Sequence, residues 1–217
     1  MSVGVVVLSK ASTPELAAVT GRMLGSLAVA DRATELDVVV VEQAMKAWHF
    51  RTVFRADSFN FNAFANFGAT QVDGDHLLIC NNDLVFHRAS IDLLHSYAIA
   101  HDLPVVCPVC PLNPRQAGLL QPETGTEVGK HFAGWCFLIR RDAWEAIGRF
   151  DEDFPFWYAD DATVEQLKRA GLSVTVLPSA VVEHRASSTL STLPRMQRSK
   201  LTKQQHQRFL AKYGATA

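Results

Sequence analysis

Short apolar runs alternate along this 217-residue chain with longer stretches whose apolar residues recur at helical spacing. Residues 3–8 and 36–41 are almost unbroken runs of valine and leucine, the pattern of strands covered on both faces. Between them Thr13-Pro14-Glu15 reads as an N-cap with proline in the first helical turn, opening a helix to about Val29. Strand, helix, strand of this kind makes a right-handed parallel βαβ unit. Residues 52–55 suggest a short third strand. Residues 59–71 suggest a helix packed through Ala63, Phe64, Phe67 and Gly68 and closed before Gly74. Leu77-Leu78-Ile79-Cys80 then forms a buried strand that stops abruptly on Asn81-Asn82-Asp83.

The second half continues the alternation. A helix is expected over 88–100, with Ile91, Leu94 and Ile99 inward, and a strand over 103–106. Residues 108–127, rich in Pro, Asn, Gly, Gln and Thr, read as an irregular surface excursion with the composition of a mobile loop. A strand over 132–139, a short helix over 141–147 and an aromatic-acidic loop over 150–158 follow. A helix over 160–170 ends at Gly171, two strands cover 174–177 and 181–183, and a terminal helix over 196–213 is stopped by Gly214. The expected fold is α/β: a Rossmann-like, mostly parallel central sheet with helices on both faces, plus a C-terminal helix. No internal repeat is visible, and the length suits one domain over 1–217.

Composition narrows the class. Hydrophobic content of 48% and charged content of 20% exclude a disordered chain. No apolar run reaches membrane-spanning length, and the N-terminus lacks the basic flank and apolar core of a signal peptide, so a cytoplasmic protein is expected. Cys80 and Cys136 lie in apolar runs as small hydrophobes. Cys107-Pro108-Val109-Cys110 invites a zinc or redox reading, but no second Cys/His pair follows at zinc spacing and the motif opens no helix. The net charge of −1 is unevenly spread: after Glu183 there is no acidic residue, while seven Arg and Lys give +7, leaving −8 on the first 183 residues. A basic arm on an acidic body suits an anionic partner, or else a solvated helix face.

Chemistry in a doubly wound sheet collects at the C-terminal ends of its parallel strands, here Ser9-Lys10, Glu42-Gln43 and Asn81-Asn82-Asp83. Neither the dinucleotide fingerprint nor the P-loop is present, so a bound diphosphate would need a hard divalent cation on Asp83 as counter-charge. Asp160-Asp161, following Trp157-Tyr158-Ala159, offers a general base beside aromatic platforms, or simply an acidic helix start. His184 ends a strand as a metal ligand or a structural histidine. Gly134-Trp135 offers a close approach and a platform, or ordinary core packing.

Jointly these residues resemble the GT-A glycosyltransferases, in the family-2-like and β-1,4-galactosyltransferase-like branch, over residues 3–214. The similarity lies in Val40-Val41-Glu42-Gln43, in Phe59-Asn60 followed by Asn66-Phe67-Gly68, and in Asn81-Asn82-Asp83 at the place of an Asp-x-Asp motif. It continues in Gly134-Trp135, in Gly148-Arg149-Phe150-Asp151-Glu152-Asp153-Phe154, in Asp160-Asp161, in Val181-Val182-Glu183-His184, and in Phe209-Leu210-Ala211-Lys212-Tyr213-Gly214.

The resemblance implies a hexosyl-type glycosyltransferase taking sugar from a nucleotide diphosphate, a UDP-sugar favoured, with inversion. Asp83 and His184 would hold Mn²⁺ or Mg²⁺, and Asp160 or Asp161 would be the base. Ser9, Glu42, Asn60 and Asn62 would contact the nucleoside, with Asn81 and Asn82 supporting the diphosphate, and Gly134, Trp135, Trp157 and Tyr158 would meet the acceptor. Residues 1–106 would form the nucleotide-sugar half, 107–185 the acceptor and catalytic half, and 186–217 the basic arm. The chain departs from the pattern in keeping one carboxylate at 81–83, in carrying Glu42 for an aspartate, and in shifting the register of the acidic pair. The acceptor is either a glycan or a hydroxymethylated pyrimidine in DNA, as in compact phage enzymes of this kind. A sugar-nucleotide pyrophosphorylase and a non-catalytic nucleotide-sugar binder are the alternatives of other classes.

Overall fold

The apolar runs of the first half become β1 (Ser2–Ser9), β2 (Glu35–Glu42), β3 (Arg51–Phe54) and β4 (His76–Asn81). They pair in parallel in the order β3-β2-β1-β4. In this computed structural model the described residues are 2–30, 33–44, 46–185 and 195–214, the side chains of 195–201 excepted. Helices α1 (Pro14–Ala30), α2 (Phe61–Ala69) and α3 (Ser90–Ala100) provide the crossovers.

The second half adds β5 (Leu84–Phe86), β6 (Val105–Val109), β7 (Glu123–Gly125), β8 (Cys136–Arg140) and β9 (Val174–His184), with α4 (Arg141–Ala146), α5 (Ala159–Arg169) and α6 (Arg195–Tyr213). Among the described residues the sheet has nine strands in the order β3-β2-β1-β4-β8-β6-β9-β5, with β7 also on β9. β8 enters antiparallel between β4 and β6, while β6 and β9 are again parallel.

Strand alternation sorts the core into two layers. Val3, Val5, Val7, Leu78 and Cys80 face α1 and α3, against Met23, Leu27, Ile91 and Leu94. Val6, Leu8, Leu77 and Ile79 face α2, α4 and α5, against Phe64, Trp144 and Leu167. α2 lies so close to β1 that a Cβ on Gly68 would fall 2.2 Å from a methyl of Val6. Fully burying each such valine or leucine contributes about 1.5–3 kcal/mol. Among the described residues no helix is long and apolar enough to cross a membrane.

Four expectations change. Ile99 is 40% exposed rather than inward. The expected strand over 132–139 begins only at Cys136, after a turn. The two strands over 174–177 and 181–183 are one strand, β9, whose pairing with β6 jumps from Leu177 to Val181; the residues around Pro178 step out of the ladder because proline has no N–H to donate. The 108–127 excursion contains β7 and is tied down. Buried Gln116 accepts the Cys110 N–H and donates to the Lys130 carbonyl, and Asn113 donates to the Gly129 carbonyl at 2.8 Å.

Candidate functional site

The sheet places Asp83 and His184 together through the three-residue strand β5 at the end of its order. β5 pairs antiparallel with the end of β9, setting Leu84 opposite His184, and the Arg185 N–H donates to the Asp83 carbonyl at 3.3 Å. His184 Nε2 then lies 3.3 Å from Asp83 Oδ1. Both atoms are buried, and neither has a hydrogen-bond partner. Leaving such atoms unsatisfied costs about 1–3 kcal/mol each, a cost that a cation accepting both lone pairs would relieve. The Trp135 ring stacks on the imidazole at 5.4 Å and 13°, and the His184 N–H donates to Cys110 Sγ at 3.3 Å. The imidazole is thus held on one face by Trp135, while the backbone at His184 is tied to Cys110. All four cysteines are buried free thiols, and burial pushes that of Cys107 up to about 12.

Across the cleft sits Asp160. α5 starts at Ala159, preceded by Tyr158 in the left-handed region at φ 60°, a conformation that costs a bulky residue about 1–2 kcal/mol. The Asp160 carboxylate accepts the Gly134 N–H at 3.2 Å. A Cβ on Gly134 would come within 2.1 Å of Asp160 Oδ1, so only glycine permits this seat. Burial raises the Asp160 pKa to about 6; the Gly134 N–H pulls against that, the neighbouring Asp161 charge adds to it, and His184 opposes it. Asp161 is also raised, by burial. Trp135, Trp157, Tyr158, Asp160, Asp161 and His184 line one cleft of about 360 Å³. A slot of about 80 Å³ opens off it, sharing Phe61, Asn81 and Phe156 and adding Lys10, Phe59 and Asp83.

Several residues expected at the donor also make internal hydrogen bonds, Asn82 while lining the slot. Ser9 is buried, its Oγ 3.2 Å from Thr20 Oγ1, and Asn82 donates to Thr20 at 2.8 Å, which braces β4 on α1. Glu42 is fully buried: its carboxylate accepts the Ala11 and Ala44 N–H groups at 3.0 and 2.8 Å and the Trp48 indole N–H at 3.0 Å. Asn60 caps α2 by accepting the Ala63 N–H and donates to the Glu152 carbonyl. Asn62 donates to the Asp151 carbonyl at 2.8 Å. Neither asparagine lines the slot or the cleft; with Asn66, which donates to the Phe150 carbonyl and accepts its N–H, they clamp the 150–153 loop. The Tyr158 ring stacks on His206 of α6 at 5.3 Å and 15°. Sequence reading did not place Lys10, Phe59, Phe61 and Phe156 in the slot. A lysine directly after the first strand was the available signal for Lys10.

No protein-family model matches the chain. Over 91 residues, 39% of this chain, it is 36% identical to the N-acetylglucosaminyl-diphospho-decaprenol L-rhamnosyltransferase of Mycobacterium tuberculosis, in strains CDC 1551 / Oshkosh and ATCC 25618 / H37Rv. The matched stretch spans 29% of those curated relatives. The structure resembles the mannosyltransferase PcManGT from Pyrobaculum calidifontis, solved with GDP-Man and Mn²⁺, with a TM-score of 0.65 and 16% identity. That superposition covers 94% of this chain and 61% of the other. The chain therefore has the GT-A glycosyltransferase fold, a mixed α/β sheet flanked by helices, as the sequence resemblance implied.

Proposed function

We propose that the protein transfers a sugar from a nucleotide-diphosphate donor to a hydroxyl group of a saccharide, with inversion and with Mn²⁺ or Mg²⁺ as cofactor. The observation that carries this reading is the convergence of two features on the cleft and its slot: Asp83 Oδ1 and His184 Nε2, facing each other at 3.3 Å with no hydrogen bond to another group, and the buried Asp160 carboxylate. Residues 1–106 serve the donor, 107–185 the acceptor and the chemistry, and 186–217 follow as the basic arm.

A carboxylate oxygen and an imidazole nitrogen fit a divalent cation, the imidazole favouring manganese. Among the described residues no group of three or more His, Cys, Asp and Glu is placed to hold a metal, so Asp83 and His184 would supply two ligands and phosphate and water oxygens the rest. Held by Asp83 and His184, such a cation would stabilise charge developing on the leaving diphosphate. Trp135 stacks on the His184 ring and Cys110 anchors the backbone beneath it. Lys10, in the slot with Asp83, adds a second positive charge beside the diphosphate. Phe59, Phe61 and Phe156 give the nucleobase apolar and stacking surface.

Asp160 takes the proton from the attacking acceptor hydroxyl. A pKa near 6 makes it a stronger base than an ordinary aspartate while leaving it ionised at neutral pH. Its bond to the Gly134 N–H fixes the carboxylate, and Asp161 supports it by charge. A saccharide acceptor is favoured over DNA by the disposition of the basic arm. Lys212 lies between Asp151 and Asp153, Arg208 donates to the Asp153 carbonyl, and Arg185 pairs with Glu183. The side chains of Arg195, Arg198 and Lys200 lie outside the described residues. The rhamnosyltransferase relative, whose name gives it a glycosylated diphospholipid substrate, agrees with this choice.

The resemblance favours a UDP-sugar donor and the structural neighbour holds GDP-Man, so the test includes both among a panel of nucleotide sugars with Mn²⁺. One donor should release nucleoside diphosphate faster when saccharides are added. EDTA should abolish the release, and Asp160→Asn should lower it at least 100-fold. Silence across the panel with both saccharide and hydroxymethylated DNA acceptors would exclude transfer. Full turnover in both Asp160→Asn and Asp161→Asn would exclude the proposed base.

A further inference from the structure

The catalytic cleft does not end at Asp161. A second groove of about 290 Å³ lies between the loop preceding Lys130 and α5. It shares Val128 and Asp161 with the cleft, and Tyr158 of the cleft packs on Phe209 of the groove with ring centroids 5.5 Å apart. The two are one trough, with Asp160 in its first section and Arg115, Glu127, Glu165 and Lys168 in its second. The first section, at about 360 Å³, stands near the lower limit of the roughly 300–1,000 Å³ usual for small-ligand sites, and the second nearly doubles the room.

The charges of the second section are already matched. Arg115 lies 3.5 Å from Glu127 and Lys168 3.9 Å from Glu165, leaving Asp161 as the unmatched charge at the junction. A polyanion entering this groove would meet three carboxylates for two cations. A neutral, hydroxyl-rich chain would find donors and acceptors along both walls and the apolar surface of Val164 and Phe209 between them. The loop wall is preformed: the Arg115 guanidinium donates to the Val128 carbonyl at 2.6 Å, and Gln116 and Asn113 anchor the same loop. Preformed walls reduce the ordering cost of binding.

We propose that this groove binds the second and further sugar units of the acceptor, so that the protein elongates an oligosaccharide in preference to a free monosaccharide. The inference rests on the saccharide-transfer reading above and adds the length of the acceptor to it.

Methyl glycosides of mono-, di- and trisaccharides in the glucose, mannose and N-acetylglucosamine series test it. Each is assayed as an acceptor and, separately, titrated by tryptophan fluorescence with Mn²⁺ and nucleoside diphosphate present. In one series kcat/KM should rise at least tenfold from mono- to disaccharide. Lys168→Ala and Glu127→Ala should each lower the disaccharide value at least five times more than the monosaccharide value. Turnover with equal kcat/KM at all lengths would overturn the groove and keep the transfer reading. Binding that tightens with length but gives no turnover would support the groove and overturn transfer. Absence of both turnover and binding at every length would overturn both.

Discussion

Gly134 and Asp160 occupy space that only one of them can fill. Because a Cβ at position 134 would fall 2.1 Å from Asp160 Oδ1, Gly134→Ala must move the carboxylate. A displacement of about 1 Å at a reacting group can cost about 100-fold in rate. Gly134→Ala should therefore lower kcat by about two orders of magnitude, with the donor Kd within about threefold of wild type. Retention of kcat would mean that the seat of Asp160 does not matter. The same residue sets the pH profile. A base must be ionised, and with a pKa near 6 kcat should climb with pH through 6 and level off above about 7. A plateau extending down to pH 4.5 would assign the proton to another group. The acidic pair was legible in the sequence. The contact that sets Asp160 apart from Asp161 was not, because it comes from the Gly134 backbone, 26 residues away. Motif position is what assigns Glu42, Asn60 and Asn62 to the nucleoside, and it says nothing of the internal bonds they also make. Their bonds to Trp48 and to the carbonyls of Asp151 and Glu152 depend on loops whose path no local pattern specifies.

At the scale of elements most segments were legible, the four-residue β3 and six-residue α4 among them, but the three-residue strands were not, and β9 has the sequence pattern of two strands. Strands β1, β2 and β4 and helices α1 and α5 announce themselves by composition. The three-residue β5 and β7 carry too few residues for any period, yet β5 is what brings His184 to Asp83. The aromatic-acidic loop and α6 are a second such case, since their charges were visible and their pairing was not. Burial works to raise the Asp151 carboxyl, but bonds from Lys212 and Tyr213 outweigh it and leave the pKa below the ordinary value. Arg169 donates to the Tyr213 carbonyl, and the Phe209 ring lies 6.0 Å from Phe154. α6 is thereby latched beneath Tyr158, whose ring rests on His206 and Phe209. Lys212→Ala with Tyr213→Phe should loosen the latch by about 1–3 kcal/mol. Amide-exchange protection should fall in α6 while that of β1 and β4 is unchanged. The acceptor KM should rise with the donor Kd unaffected. Equal loss of protection throughout would make α6 an integral part of the core rather than a latched element.

Across the whole molecule, two buried groups pull acid stability in opposite directions. His76, at the start of β4, is buried with its ring 5.0 Å from that of His95, and His76 Nδ1 and His95 Nε2 have no hydrogen-bond partner. Burial, then the charges of His95 and Arg140, push the His76 pKa down to about 4 against the pull of Asp75 and Asp142; His95 is lowered as well. A histidine that binds its proton less tightly when folded loses stability as pH falls from its unfolded value of 6.5 to about 4. At about 1.4 kcal/mol per unit of pKa, that loss is on the order of 3 kcal/mol. Asp160 does the reverse: a carboxyl that binds its proton more tightly when folded gains stability as pH falls from about 6 to 3.8, again on the order of 3 kcal/mol. The two nearly cancel between pH 6 and 4. Urea unfolding with EDTA present, compared at pH 7.5 and 4.5, should separate them. Asp160→Asn should exceed wild type at pH 7.5 by up to about 3 kcal/mol and lose most of that advantage at pH 4.5. His76→Gln should improve relative to wild type as pH falls. Differences between variant and wild type remove the background of other carboxylates, such as Asp151, that titrate in the same window. If Asp160→Asn keeps a constant offset at both pH values, Asp160 does not bind its proton more tightly in the folded protein, and its assignment as a base poised near neutrality fails with it.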